Sequence, residues 1–198
     1  MKTVKLVLAS ASPRRKELLK QLGLAFETVP SSVTEPAFTG KNPVQYARAL
    51  AKAKASEIAE KYPDSIILGA DTIVLINDQV LGKPLDEHHA FVMLRSLSGR
   101  YHHVITAFSL HHKNLQIAKD YHIRTQVHFR ELLEEEIQYY INTGDPFDKA
   151  GAYGIQDYSG VFVDSIKGCF YNVVGLPLSA FYSRLTHLLR EFDLKIQS

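Results

Sequence analysis

The sequence predicts an α/β fold in which helices flank one mixed β-sheet. Two patterns carry this expectation. Short apolar runs alternate with segments of helical periodicity, and hairpin-like pairs of alternating strands are inserted among them. The length of 198 residues favours a single domain, and a hydrophobic content of 45% supplies a sizeable core while excluding intrinsic disorder.

The elements follow in order. Val4 to Leu8 reads as a buried strand ending at Ser10-Ala11-Ser12-Pro13. Leu18, Leu19 and Leu22 recur at helical spacing, and Gly23 is the stop. A second strand is expected at Ala25 to Val29, then a polar loop from Pro30 to Lys41, then a long helix from Pro43 to about Lys61. Ser65 to Ile76 is the most apolar stretch and reads as a central strand, which Asn77-Asp78 turns back through Gln79 to Leu81. Ala90, Met93, Leu94 and Leu97 mark a helix ending at Ser98-Gly99. Tyr101 to His112 and Gln116 to Phe129 have the pattern of antiparallel strands joined near Lys113-Asn114. Leu133, Ile137, Tyr140 and Ile141 make a helix that Gly144-Asp145-Pro146 terminates. A Gly-rich loop from Asp148 to Gly160 leads into expected strands at Val161 to Ile166 and Phe170 to Val174. Leu178, Phe181, Leu185, Leu188 and Phe192 form the apolar face of a closing helix.

Composition narrows the function. A net charge of +2 argues against a nucleic-acid coat or a polybasic membrane anchor. No apolar run approaches the ~20 residues of a membrane helix, and the N-terminal apolar stretch is too short for a secretory signal. The single cysteine, Cys169, can form neither an intramolecular disulfide nor a thiolate zinc site. The expectation is a soluble cytoplasmic protein with no nucleic-acid or membrane partner. His88-His89, His102-His103 and His111-His112 are adjacent pairs, which point to opposite faces of a strand and chelate poorly, so surface or half-buried structural roles are expected.

Four segments break local rules. Ser12 and Pro13 look like the N-cap and first residue of a helix, yet Arg14 and Arg15 stand where the helix dipole already presents positive charge. A bound anion reverses that cost; a solvated arginine pair is the alternative. Lys54 falls inside the apolar stripe of Ala47, Leu50, Ala51, Ala55 and Ile58, so it snorkels or meets an anion. Asp71 interrupts an otherwise apolar strand and needs a cation, a metal, strong hydrogen bonds or a cleft, while Gly69 and Ala70 leave backbone room for something to approach. The loop Asp148 to Gln156 has glycines for close approach, Tyr153 for stacking and an amide at Gln156 that matches a uracil or thymine edge in two hydrogen bonds; a mobile surface loop is the alternative. Gly82-Lys83-Pro84 adds a cation on a stiff turn.

The ordered segments LASASPRRKELLKQLG, GADTIV, GKP, SGRYHHVITAF, DKAGAYGIQ and VVGLPL, from about Leu6 to Leu178, resemble the Maf family of house-cleaning nucleoside triphosphate pyrophosphatases. The resemblance implies a fold like that of the inosine triphosphatases, an elongated mixed sheet with two lobes around a central cleft, in one domain. It implies hydrolysis between the α- and β-phosphates with Mg²⁺ or Mn²⁺. DKAGAYGIQ is similar to the branch acting on dTTP and UTP, with modified pyrimidine nucleotides as further candidates, and unlike the 7-methyl-GTP branch.

Carried over by position, Ser10, Arg14 and Arg15 hold the triphosphate, Lys54 and Lys83 add cations, and Lys149 joins the substrate-binding set. Asp71 is the proton acceptor and, with Glu35, a metal ligand; Arg14, Thr72 and Gln156 bear on pyrimidine specificity. Asp157-Tyr158 departs from the small-residue pair commoner after the glutamine. A nucleoside triphosphate carries about four negative charges, so several cations must converge on it. The alternative activities are a non-catalytic nucleotide sensor in septum formation and the 7-methyl-GTP specificity, and a homodimer is compatible with either.

Overall fold

The computed structural model describes residues 1–40 and 42–197; Lys41, the end of the expected polar loop, lies outside them. The first apolar run divides at Lys5 into two strands in different sheets. β1 (Lys2–Val4) pairs in parallel with β9 (Leu194–Ile196), and β2 (Leu6–Leu8) enters the main sheet. The strand β9 was too short for periodicity to reveal.

Helix α1 (Pro13–Gln21) starts as expected: Ser12 caps it by accepting from the Arg15 N–H, and Gly23 follows its end with φ 66°. The expected strand at Ala25 to Val29 contracts to β3 (Glu27–Thr28), because it has only Val7 and Leu8 to pair with.

Helix α2 (Pro43–Lys61) is followed by β4 (Ile66–Ile76), β5 (Gln79–Leu81), α3 (Glu87–Leu97), β6 (Tyr101–His112), β7 (Ile117–Phe129) and α4 (Glu134–Asn142), all close to expectation. Short 3₁₀ turns then span Asp145–Asp148, Ala150–Ala152 and Tyr158–Phe162. The last of these delays the next strand, β8 (Val163–Lys167), by two residues while burying Phe162.

Phe170–Val174, expected as a strand, is instead the short helix α5. Its Asn172 is fully buried, donating to the Val104 carbonyl and Thr125 Oγ1 and accepting from the Thr106 N–H. Those bonds override the β propensity of the flanking valines. Helix α6 (Leu178–Glu191) closes against the sheet as expected.

Among the described residues the main sheet runs β3-β2-β4-β6-β7-β8, with β5 also paired to β4. The alternation of β4 explains the lobes. Its odd positions Ile67, Ile73 and Leu75 pack on α2 through Ala47, Ala51, Ala55 and Ile58. Its even positions divide. Ile66, Leu68 and Ala70 join α1 and α6 through Leu18, Leu19, Phe181 and Leu185, whereas Val74 and Ile76 join α3 and α4 through Leu94, Leu97 and Ile137. Thr72 falls between these two cores.

The edge of β4 divides at the same place. β2 pairs with it only as far as Leu68, and β5 resumes at Val74. Residues 69–73 therefore have β6 on one side and a notch on the other. No helix among the described residues is long and apolar enough to cross a membrane.

His102, His111 and His112 correct the expectation of surface or half-buried positions: all three are buried. His102 Nε2 lies 2.7 Å from the Tyr153 hydroxyl, and burial holds its pKa down to about 3, so the ring stays neutral.

Candidate active site

The notch opens into a cleft of about 480 Å³, and every residue singled out in the sequence lines it: Ser10, Arg14, Arg15, Glu35, Lys54, Asp71, Thr72, Lys83, Lys149 and Gln156. Three elements (α1, α2 and β4) and four loops supply them, which is why no single sequence window contained the site.

Asp71 is buried, pointing to the α2 side of the sheet. Its neighbour on that face, Gly69, explains what meets it. A Cβ on Gly69 would lie 2.2 Å from the Ala51 carbonyl oxygen and 2.9 Å from the Ala55 Cβ, so the backbone room left by Gly69 is filled by α2 and not by a ligand. That close approach delivers Lys54, whose ammonium lies 2.7 Å from Asp71 Oδ1 and 2.6 Å from Glu35 Oε1. Lys54 therefore has anionic partners and does not snorkel.

Burial pushes the Asp71 carboxyl above its ordinary pKa, against the opposing pull of Lys54 and Arg15, which makes it a stronger base than a surface aspartate.

The two arginines separate. Arg15 is buried and donates from Nε to the Gly175 carbonyl at 2.9 Å, from Nη1 to Ser10 Oγ at 3.1 Å and from Nη2 to Thr72 Oγ1 at 3.0 Å. These partners are all neutral, and burial lowers its pKa, with Asp71 the first opposing charge. Thr72 also shares a hydrogen bond with Thr106, so Arg15 is braced on the sheet at the boundary between lobes. Arg14 is more exposed and crosses the cleft to Asp148, 2.9 Å from its Oδ2. Lys83 and Gln156 are exposed at the rim.

Lys149, expected to bind substrate, lines the cleft from a buried position, and the Asp145 carbonyl, Asp148 Oδ1 at 2.8 Å and Asp157 Oδ2 at 3.3 Å surround its ammonium.

Sequence reasoning missed the anchors of the polar loop. Tyr46 lines the cleft eight residues before Lys54, on the same helical face, and its hydroxyl donates to the Pro36 carbonyl at 2.8 Å beside Glu35. Glu57 accepts from the Ser31 and Ser32 hydroxyls and the Ser32 N–H, and those bonds, with Lys61, hold its pKa down to about 2. The helical spacing of Tyr46, Leu50 and Lys54 was the available signal for Tyr46; nothing marked Glu57.

The model of the Maf-like protein family matches residues 5–188. The chain belongs to the Maf family. Relatives are similar over most of their length. The dTTP/UTP pyrophosphatase of Carboxydothermus hydrogenoformans is 45% identical over 92% of this chain and 97% of its own. That of Geobacillus sp. strain WCH70 is 48% identical over 88% and 92%, and that of Bacillus cytotoxicus 47% over 96% of each chain. A HAM1 protein from Coxiella burnetii shares the fold, with a TM-score of 0.50 and 15% identity over 93% of this chain and 99% of its own. The α/β, two-lobed architecture expected for a Maf protein is thus the one observed.

Proposed function

We propose that this Maf-family chain hydrolyses dTTP and UTP to the nucleoside monophosphate and pyrophosphate, in the cytoplasm. One observation carries the chemistry: a buried carboxylate, Asp71, stands in the cleft beside Lys54 and Arg15, and the loop bearing Gln156 lines the same cavity. The full-length relatives named dTTP/UTP pyrophosphatase support the substrate.

Hydrolysis breaks the bond between the α- and β-phosphates, and water supplies the oxygen that replaces pyrophosphate on the α-phosphorus. Asp71 takes the proton of that water. Arg14, Arg15, Lys54 and Lys83 offset the triphosphate charge, and Gln156 reads the pyrimidine edge.

The donor set also fits a divalent cation. Asp71 and Glu35 present hard carboxylate oxygens that already share one cation, the Lys54 ammonium. Two such carboxylates match the way Mg²⁺ or Mn²⁺ is held, by one or two carboxylates together with substrate phosphates. When bound, such an ion draws negative charge off the phosphoryl oxygens.

The test is a nucleotide panel with pyrophosphate detection, with and without divalent metal. Pyrophosphate release from dTTP and UTP ahead of CTP and GTP, lost with chelator, is expected. Tight nucleotide binding with no pyrophosphate from any of them would refute the reading in favour of a sensor.

A further inference from the structure

A continuous chain of alternating charge joins the start of α1 to the turn that carries Gln156. Arg14 donates from Nη1 to Asp148 Oδ2 at 2.9 Å and from Nη2 to the Asp148 carbonyl at 3.4 Å. Asp148 Oδ1 accepts from Lys149 at 2.8 Å, and the same ammonium lies 3.3 Å from Asp157 Oδ2. Asp157 Oδ1 then receives the Ser159 N–H at 3.2 Å, and the Ser159 hydroxyl accepts from the Gly154 N–H at 2.9 Å. Gly154 and Asp157, the residues that bracket Ile155 and Gln156, are therefore both fixed by the chain. A Cβ on Gly154 would lie 2.5 Å from Asp157 Oδ2 and 2.8 Å from Lys149 Cε, so a larger residue there displaces the two side chains that link the turn to Asp148.

We propose that Asp148 and Lys149 are positioning residues, binding no substrate atom themselves, that couple pyrimidine selection at Gln156 to the placement of the Arg14 guanidinium. The inference deepens the function proposed above and rests on it.

The electrostatics call for such a role. A carboxylate at the rim of a cleft that takes a polyphosphate repels its ligand. Asp148 lowers affinity for phosphate in general, and what it returns is orientation: Arg14, from one lobe, is held in register with a loop from the other. Lys149 neutralises Asp148 and Asp157 from the buried side, leaving no free donor set for a ligand. A base that Gln156 cannot match displaces the turn, and through Asp157, Lys149 and Asp148 it displaces Arg14.

The test is calorimetric binding of the α,β-imido analogues of UTP and CTP and of inorganic tripolyphosphate, which reads coupling without turnover. The wild-type protein should prefer the UTP analogue. Asp148→Asn should reduce that preference about ten-fold, as for loss of one charge-assisted pair, while tripolyphosphate binds at least as tightly as before. Asp148→Glu should restore most of the preference. Arg14→Gln should lose it too, and the Arg14→Gln/Asp148→Asn double variant should lose no more than either single one.

Lys149→Met should reduce the base preference as Asp148→Asn does, while tripolyphosphate binding weakens because Asp148 and Asp157 lose their neutralising partner. A loss of tripolyphosphate affinity in Lys149→Met that the Lys149→Met/Asp148→Asn double variant does not recover at all would make that lysine a direct ligand and overturn its part of the proposal. An unchanged preference in Asp148→Asn, an equal loss for all three ligands, or a wild-type protein indifferent to the base would overturn the whole. Failure of the functional reading shows separately, as no pyrophosphate released from dTTP or UTP by the wild-type enzyme.

Discussion

Gly69→Ala tests whether the spacing between α2 and β4 sets the catalytic geometry. The added Cβ would lie 2.2 Å from the Ala51 carbonyl oxygen and 2.7 Å from the Ala55 nitrogen. Ordinary carbon–oxygen contacts begin at about 3.3 Å, so α2 must retreat by about 1 Å. Both obstructing atoms are helix backbone and no rotamer change relieves them, which puts the cost at the upper end of the ~1–3 kcal/mol typical of overpacking. For a chain of this length each kcal/mol lowers Tm by about 2–4 °C, so a fall of about 6–12 °C is expected.

The same retreat pulls Lys54 away from Asp71, now 2.7 Å distant, and a misplacement of about 1 Å in a catalytic array costs about 100-fold in rate. Calorimetric melting and pyrophosphate release at 20 °C measure the two effects. Gly82→Ala is the control: a Cβ there meets nothing within 4 Å, and its Tm should stay close to wild type. A Gly69→Ala protein that melts like wild type and turns over at full rate would refute the spacing argument. A large drop in Tm with unchanged turnover would show that Gly69 supports the fold without placing Lys54.

Asp71→Asn should lower turnover by about 10²–10⁴-fold, the range of a lost general base, with a cooperative melt retained; near-normal dTTP hydrolysis would remove Asp71 from its role. Burial raises the Asp71 pKa, so the carboxylate is lost by protonation as pH falls, and the wild-type rate profile should carry an acid limb that the residual activity of Asp71→Asn lacks; the same limb in the variant contradicts the assignment. Gln156→Ala should relax base choice more than it lowers the maximal rate, and unchanged relative rates on UTP, dTTP, CTP and GTP would count against it. His102 is held neutral, its pKa about 3 in the fold against 6.5 unfolded, so its contribution to stability is present above pH 6.5 and drains as pH falls towards 3. Urea melts between pH 7 and 5 should show His102→Gln losing stability less steeply than wild type, by up to about 1.4 kcal/mol per pH unit. Equal slopes would mean that the ring is not kept neutral.

What the sequence displayed and what it hid follow a physical division. Long periodic elements were legible because burial stamps them residue by residue: α2, β4, β6, β7 and α6 all lie close to their expected spans. Short elements escaped because their conformation is decided by distant partners. Phe170–Val174 is helical on account of Asn172, whose amide answers Val104, Thr106 and Thr125. Likewise β3 is short because β2 offers it only two residues.

In the site, the anomalies of charge were the strongest signals, and they pointed truly to place but not always to partner. Lys54 in an apolar stripe and Asp71 in an apolar strand looked like two separate problems; packed together by Gly69, each is the answer to the other. Arg14 and Arg15 looked like one feature, but one is braced on neutral groups inside the fold and the other reaches 134 residues along the chain to Asp148. Adjacent residues at a helix start point in different directions, so a pair of like charges in sequence is two sites in space. Lys149 carries the same lesson. A lysine in a binding loop reads as a ligand, yet with three carbonyl or carboxylate oxygens around its ammonium it spends its charge on the shape of the loop. Residue type and position locate a functional region; which charges remain for a substrate is decided only by which have already been satisfied by the fold.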